Sequence, residues 1–140
     1  EGDRQELSDA SCPAEEEWIA IGDYSQESGY RIMQRWIEQG GYPSAVFCAN
    51  DGMALGALLA LHQADVAVPE EMSIIGFDDL PTSRYAYPPL TTVHQPIYEK
   101  GEQAADMIIS QVEGTQDEVR HMKLPAELVI RESSGPPPSG

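Results

Sequence analysis

A chain of 140 residues is long enough for one domain with a true hydrophobic core, and at 41% hydrophobic and 23% charged it has the balance of a soluble globular protein. Its 24 acidic residues against 8 basic ones leave a formal charge of −16, which repels nucleic-acid phosphate and provides no basic stripe, so this piece does not bind DNA by itself. No apolar run approaches the roughly 18 residues of a membrane span, and the two cysteines, Cys12 in a loop and Cys48 in an apolar run, differ too much in setting for a disulfide framework and fit a reducing compartment.

The chain opens on Glu1-Gly2-Asp3-Arg4, with neither an initiator Met nor the basic and apolar regions of a signal peptide, as an excised or processed piece would. Residues 3–10 have too few apolar positions to stand as a helix alone and read as the end of one that begins earlier. After the loop 11–14, Trp18-Ile19-Ala20-Ile21 reads as a short buried strand stopped by Gly22-Asp23. Tyr30, Met33 and Ile37 recur at i, i+3, i+7 and Gly40-Gly41 follows, which predicts an amphipathic helix over 26–39.

Ala45 to Ala49 is a second apolar strand, followed by Asn50-Asp51, good helix-capping residues, and by a run of helix formers from Met53 to His62. Ser73 to Phe77 makes a third strand ending on Asp78-Asp79. A Pro-rich loop with Tyr85 and Tyr87 leads to a short extended piece, Leu90 to Val93, and then to a helix whose apolar positions run from Tyr98 to Val112 before Gly114. Residues 115–123 are polar, Ala126 to Ile130 reads as a last strand, and Ser133 to Gly140 contains only Ser, Gly and Pro, as a disordered tail would. Apolar strands without polar alternation, separated by helices, predict an α/β fold with a parallel sheet covered on both faces.

In such sheets ligands bind outside the carboxyl ends of the strands. Here those ends supply Asp23-Tyr24-Ser25, Asn50-Asp51 and Asp78-Asp79. Carboxylates and an amide accept hydrogen bonds from hydroxyls while a ring covers an apolar face, a mixture that suits a polyhydroxylated or otherwise hydrogen-bond-donating ligand. Each has a plainer alternative: Asn50 and Asp51 as helix caps, Asp78-Asp79 as a solvated turn, Tyr24 as loop packing. An enzyme needs a nucleophile with its base, a metal cluster or a phosphate loop, and His62, His94, His121 and Cys48 lack the spacing or partners for one. The strongest enzymatic rival is a phosphoryl-accepting Mg²⁺ pocket at Asp78-Asp79, whose expected lysine is absent. Along 51–63, Ala54, Ala57, Leu58 and Leu61 form one apolar face while Leu55 and Leu59 lie away from it, so this helix is buried on more than one side, by self-association near Tyr85 and Tyr87 or by core packing.

Together, Gly22-Asp23-Tyr24-Ser25 with Ser28-Gly29-Tyr30, the run Pro43 to Ala57, Val68-Pro69-Glu70-Glu71 leading to Ser73 to Asp79, Pro88 to Pro96, and Leu128 to Glu132 resemble the regulatory domain of LacI/GalR-type transcription regulators over about residues 2–134. The resemblance implies a periplasmic-binding-protein-like fold of two α/β lobes with an effector in the cleft, no cofactor and no metal, in a cytoplasmic homodimer that reaches DNA only through an N-terminal headpiece. This chain would carry most of the C-terminal lobe, lacking that lobe's first strand, with residues 97–114 packed on the other lobe and 135–140 a disordered tail or tag. By similarity, Tyr24 packs on the effector, Asn50 and Asp78 are polar effector contacts, Asp51 and Gln95 are further ones, and Leu55 and Tyr85 fall on the dimer surface. The expected effector is a sugar or nucleoside-like molecule; the alternative function is a periplasmic sugar-binding protein of a transporter.

Overall fold

The computed structural model describes residues 9, 15–114 and 121–137; apart from Asp9, the helix end expected at 3–10, the loop at 11–14 with Cys12, and the last three tail residues lie outside them. Four strands form one sheet in the order β1 (Ala45–Phe47), β2 (Ser73–Asp78), β3 (Thr91–His94), β4 (Glu127–Val129). β1–β2 and β2–β3 are parallel, as the apolar runs predict, whereas β4 returns antiparallel to β3 and makes the sheet mixed.

Helix α1 spans Gln26–Glu38 and α2 spans Asp51–Gln63. Ser25 caps α1 by accepting from the Ser28 amide, and Asn50 caps α2 by accepting from the Met53 amide. The buried residues of α1, Gly29, Met33 and Trp36, keep the helical i, i+4, i+7 spacing. On α2, Met53, Ala54, Gly56, Ala57, Leu58, Ala60 and Leu61 are all buried, so this helix is enclosed around most of its circumference, between α1 and β2. Glycines let the two helices touch: a Cβ on Gly56 would stand 1.9 Å from the Gln26 carbonyl oxygen, and one on Gly29 would stand 2.1 Å from that of Met53. The core continues into the sheet through Ile74, Met72 and Leu90, each fully buried.

Two expectations are corrected. Trp18 to Ile21 does not join the sheet: Glu16–Trp18 is a 3-10 turn and Ile21 is 98% exposed. The Trp18 ring packs edge-on against Trp36 of α1, with centroids 5.9 Å apart, which draws the segment onto the helix and away from the strand ladder. The Ser/Gly/Pro tail is not free where it begins, at Ser133, nor at Gly135. Ser133, wholly buried, donates from its hydroxyl to the Ile74 carbonyl (2.6 Å) and accepts from the Thr91 amide (2.8 Å), and the Gly135 amide reaches the Ser73 hydroxyl (3.1 Å). The chain here bridges the starts of β2 and β3, where buried backbone groups need partners. Within the Pro-rich loop after β2, Pro81–Tyr85 winds into a 3-10 helix with Pro in its first turn.

Helix α3 (Ile97–Val112) has no buried residue, and Tyr98, Ile108, Ile109 and Val112 of its apolar positions are exposed.

Candidate functional site

The rim is set by strand register. Phe47 pairs with Ile75, and the Cys48 amide donates to the Ile75 carbonyl at 2.8 Å, so three residues further on the two parallel chains leave the sheet at Asn50 and Asp78. Asp78 is in turn paired with His94, the last residue of β3, and Gln95 follows. Neighbouring strands lie about 4.8 Å apart, so successive tips present Asn50, Asp78 and Gln95 along one edge.

Tyr24 is tied to this edge through its backbone: Asn50 Nδ2 donates to the Tyr24 carbonyl oxygen at 2.9 Å while Asn50 Oδ1 caps α2 at 2.8 Å. One amide therefore serves both as a cap and as a tether for the aromatic residue. The Tyr24 side chain is 69% exposed, open to a ligand face. Its loop is held by Asp23, whose carboxylate accepts from the Ser25 amide (2.9 Å) and the Ser25 hydroxyl (2.5 Å). Those bonds, with one from Ser28, pull the Asp23 carboxyl down to about 2.

Asp78 Oδ1 accepts from Gln95 Nε2 at 2.7 Å, and Gln95 Oε1 accepts from Lys100 Nζ at 2.8 Å. The lysine fixes which way the amide faces: its NH₂ toward Asp78, its oxygen toward the cation. Among the described residues, the side-chain hydrogen bond of Asp78 runs through Oδ1 to Gln95. Of the four non-glycine residues with positive φ among those described, three are Tyr24 (66°), Asp78 (113°) and Asp79 (55°). Left-handed backbone is unfavourable for side chains with a Cβ and collects at ligand-binding positions; here it marks Tyr24, in the loop before α1, and Asp78 and Asp79, at the end of β2.

The acidic pair is split in use. Asp79 forms an ion pair with Arg131, accepts from His94 Nδ1 at 3.1 Å, and lies 4.0 Å from Arg84. Burial raises its pKa, but the Arg131 bond and charge, then His94 and Arg84, outweigh that and hold the carboxyl below its usual value. Arg131 also donates to the Leu90 carbonyl at 2.7 Å, pinning the chain after β4 to the start of β3.

Asp51 is a correction. It is wholly buried, and its two carboxylate oxygens accept from the Leu80 amide (2.7 Å), the Ser83 hydroxyl (2.6 Å) and the Thr92 hydroxyl, so it is not placed to meet a ligand. Its position beside a capping residue gave no signal of this, because the partners lie 29 to 41 residues away in sequence. Lys100, Arg131, Ser83 and Thr92 went unread for the same reason: each acts through a contact that no local pattern announces. Cys48 is buried, and burial with the nearby Asp51 charge pushes its thiol up to about 12, where it is not a nucleophile. Among the described residues no three His, Cys, Asp or Glu side chains are grouped as metal ligands.

On a different face, Leu55, Leu58, Leu59 and His62 of α2, with Gln26, Thr82, Tyr85, Ala86 and Tyr87, line an apolar groove of about 470 Å³. Tyr85 and Tyr87 are each 87% exposed. The structure thus brings Leu55 and Tyr85 to one surface, separate from the rim.

An α/β lobe with an aromatic ring beside the polar acceptors of its strand tips is the architecture of a ligand-cleft domain, and comparison with known proteins agrees. Residues 1–134 match the model of the periplasmic binding protein-like domain family. The HTH-type transcriptional repressor PurR of Photorhabdus laumondii is 37% identical over 127 residues, and that of Yersinia pestis 39%; each alignment covers 91% of this chain and 37% of the relative. The chain therefore spans a little over a third of the length of the curated relatives it matches. Among solved structures, the complex of the transcriptional regulator CelR with cellobiose superposes with a TM-score of 0.90 at 32% identity, covering 95% of this chain and 41% of that one. A LacI-type transcription regulator from Bifidobacterium animalis subsp. lactis gives 0.89 at 32% identity over 96% of this chain and 48% of its own. The chain belongs to the periplasmic binding protein-like domain family, in the form carried by LacI-type transcriptional regulators.

Proposed function

We propose that this chain is the effector-sensing and self-associating part of a LacI-type transcriptional repressor, and that it performs no bond-making chemistry. The observation that carries the reading is the rim: the Tyr24 loop tethered to Asn50 beyond β1, beside Asp78 at the end of β2, bonded to Gln95, which Lys100 holds in turn. Such a set binds by accepting and donating hydrogen bonds around a ring face, and it supplies neither a nucleophile with its base nor a cluster of metal ligands.

The effector is a sugar or a nucleoside-like molecule. The Asp78 carboxylate accepts from a ligand hydroxyl or ring N–H, Gln95 and Asn50 contribute amide groups, and Tyr24 covers an apolar face. Two relatives support the range: CelR was solved with cellobiose, and curated relatives are repressors named PurR. The apolar groove at Leu55, Leu59, Tyr85 and Tyr87 is the face on which a second copy docks, an arrangement supported by the lac repressor, whose solved form is a dimer bound to operator. We read α3, with its exposed apolar residues, as part of a second lobe that closes the cleft from above, and DNA contact as the work of a separate headpiece in the cytoplasm. The PurR repressors and CelR, which are transcriptional regulators, favour this over a transport component.

Thermal-shift screening of the intact natural protein against sugars, nucleosides and nucleobases tests it. A ligand at a hundred times its dissociation constant raises stability by about 2.7 kcal/mol. A screen in which no member of these classes shifts the transition contradicts the effector assignment.

A further inference from the structure

The Asp51 carboxylate joins three parts of the chain that have no local reason to meet. It begins α2; one oxygen accepts from the amide of Leu80 at 2.7 Å and the hydroxyl of Ser83 at 2.6 Å; the other accepts from Thr92 of β3. Thr92 Oγ1 accepts in turn from the Asp79 amide at 3.4 Å. Room for the carboxylate comes from Gly76, where a Cβ would stand 2.2 Å from Asp51 Oδ1. Every partner is thus spoken for, in a site without water access, where an unpaired carboxylate is costly.

What lies at each end of this cluster gives it a use. The Asp79 amide follows directly on Asp78, the carboxylate of the rim; Ser83 stands two residues before Tyr85, the exposed ring of the self-association groove. We propose that Asp51 is a positioning residue that locks the Asp78–Asp79 tip and the 3-10 segment Pro81–Tyr85 into one body, so that a molecule seated on the rim and a second copy docked at Tyr85 act on the same unit. The proposal rests on the rim and groove assignments above. Its mechanical core, the lock, stands on Asp51 alone.

The sharpest test uses crossed variants in the intact natural protein, followed by amide hydrogen exchange with mass spectrometry. Ser83→Ala removes a bond on the turn side and Thr92→Val one on the tip side, each leaving the carboxylate in place. If Asp51 is a lock, each variant speeds exchange on both sides: Ser83→Ala loosens residues 77–80 as well as 81–86, and Thr92→Val loosens 81–86 as well as 77–80. The rise is about tenfold, the effect of one buried hydrogen bond left unmade, while residues 30–38 of α1 keep their protection. Asp51→Asn, which weakens both sides, gives a larger rise over the same residues; should that variant not fold, the other two still decide. Loosening confined to the side that was mutated, or spread evenly over the whole chain, overturns the lock. Exchange needs neither effector nor dimer, so sedimentation equilibrium on the same samples judges the groove separately: a wild-type protein that stays monomeric removes the self-association reading, and the exchange result still decides the role of Asp51.

Discussion

Asn50 holds Tyr24: the amide that caps α2 through its oxygen donates through its nitrogen to the Tyr24 carbonyl, 2.9 Å away. A helix start and the Tyr24 loop, 26 residues apart in sequence, are therefore positioned by one side chain. The two roles separate by substitution. Asn50→Ala loses both, and the lost cap alone destabilises by about 1 kcal/mol in urea unfolding. Asn50→Asp keeps an oxygen for the Met53 amide but cannot donate to Tyr24, so its urea midpoint stays near wild type while affinity for a ligand found by screening falls about tenfold. Equal affinity in Asn50→Asp and wild type means that the tether has no part in binding.

Close helix contact makes a prediction of the opposite kind, about stability with the site untouched. Gly56→Ala inserts a Cβ where the Gln26 carbonyl already stands, 1.9 Å away, and the obstacle is backbone, which cannot rotate aside. The helices must part, and such overpacking costs about 1–3 kcal/mol despite alanine's better helix propensity. A variant as stable as wild type in urea shows that α1 and α2 do not approach this closely.

Acid stability follows from Asp79. Its folded pKa lies below the unfolded value, so the carboxylate stabilises the fold above about pH 4 and the contribution is lost as pH falls through the folded pKa. Removing the cation with Arg131→Met leaves burial unopposed by its main partner, so the folded pKa rises and acid loss begins at higher pH. Urea midpoints measured from about pH 6 down to 3 give the two curves. Parallel curves for wild type and variant contradict the pairing.

Self-association is addressed by charge on the groove. Leu59→Asp or Tyr85→Asp puts a carboxylate on an apolar face without disturbing the core, since Leu59 is 44% and Tyr85 87% exposed. Analytical ultracentrifugation of the intact protein is expected to show monomer at concentrations where wild type is dimer, with the thermal midpoint of the monomer unchanged. A dimer that survives both substitutions places the interface elsewhere.

Much of the architecture was written in local pattern. The apolar runs at 45–49 and 73–77, the capping pair at 50–51 and the helical spacing of Met33 all lead to the elements observed. What failed were features settled by distant partners. Trp18 to Ile21 has the composition of a strand, yet its indole finds Trp36 and the amides of Trp18 and Ile19 bond within a local turn, to Glu15 and Glu16. Ser133 sits in a stretch of tail-like composition, and only the unpaired ends of β2 and β3 make it structural. In the rim, Asn50 and Asp78 lie where strand ends of a parallel sheet place them, whereas Tyr24 follows a segment that is not a strand and Gln95 was expected only from the family resemblance. Asp51 was misread as a ligand contact because burial of a carboxylate at a helix start depends on Gly76, Ser83 and Thr92, which sequence order keeps apart.

The central claim is that an effector is gripped at the strand tips through Asp78, whose Oδ1 is bonded to Gln95. Titration calorimetry of the intact natural protein with the strongest ligand from a sugar, nucleoside and nucleobase screen tests it directly, wild type beside Asp78→Asn. Loss of the carboxylate is expected to weaken binding by about tenfold to a hundredfold, the range for a hydrogen bond to a charged group, with the unfolding midpoint little changed. Binding of undiminished affinity in Asp78→Asn would contradict the account.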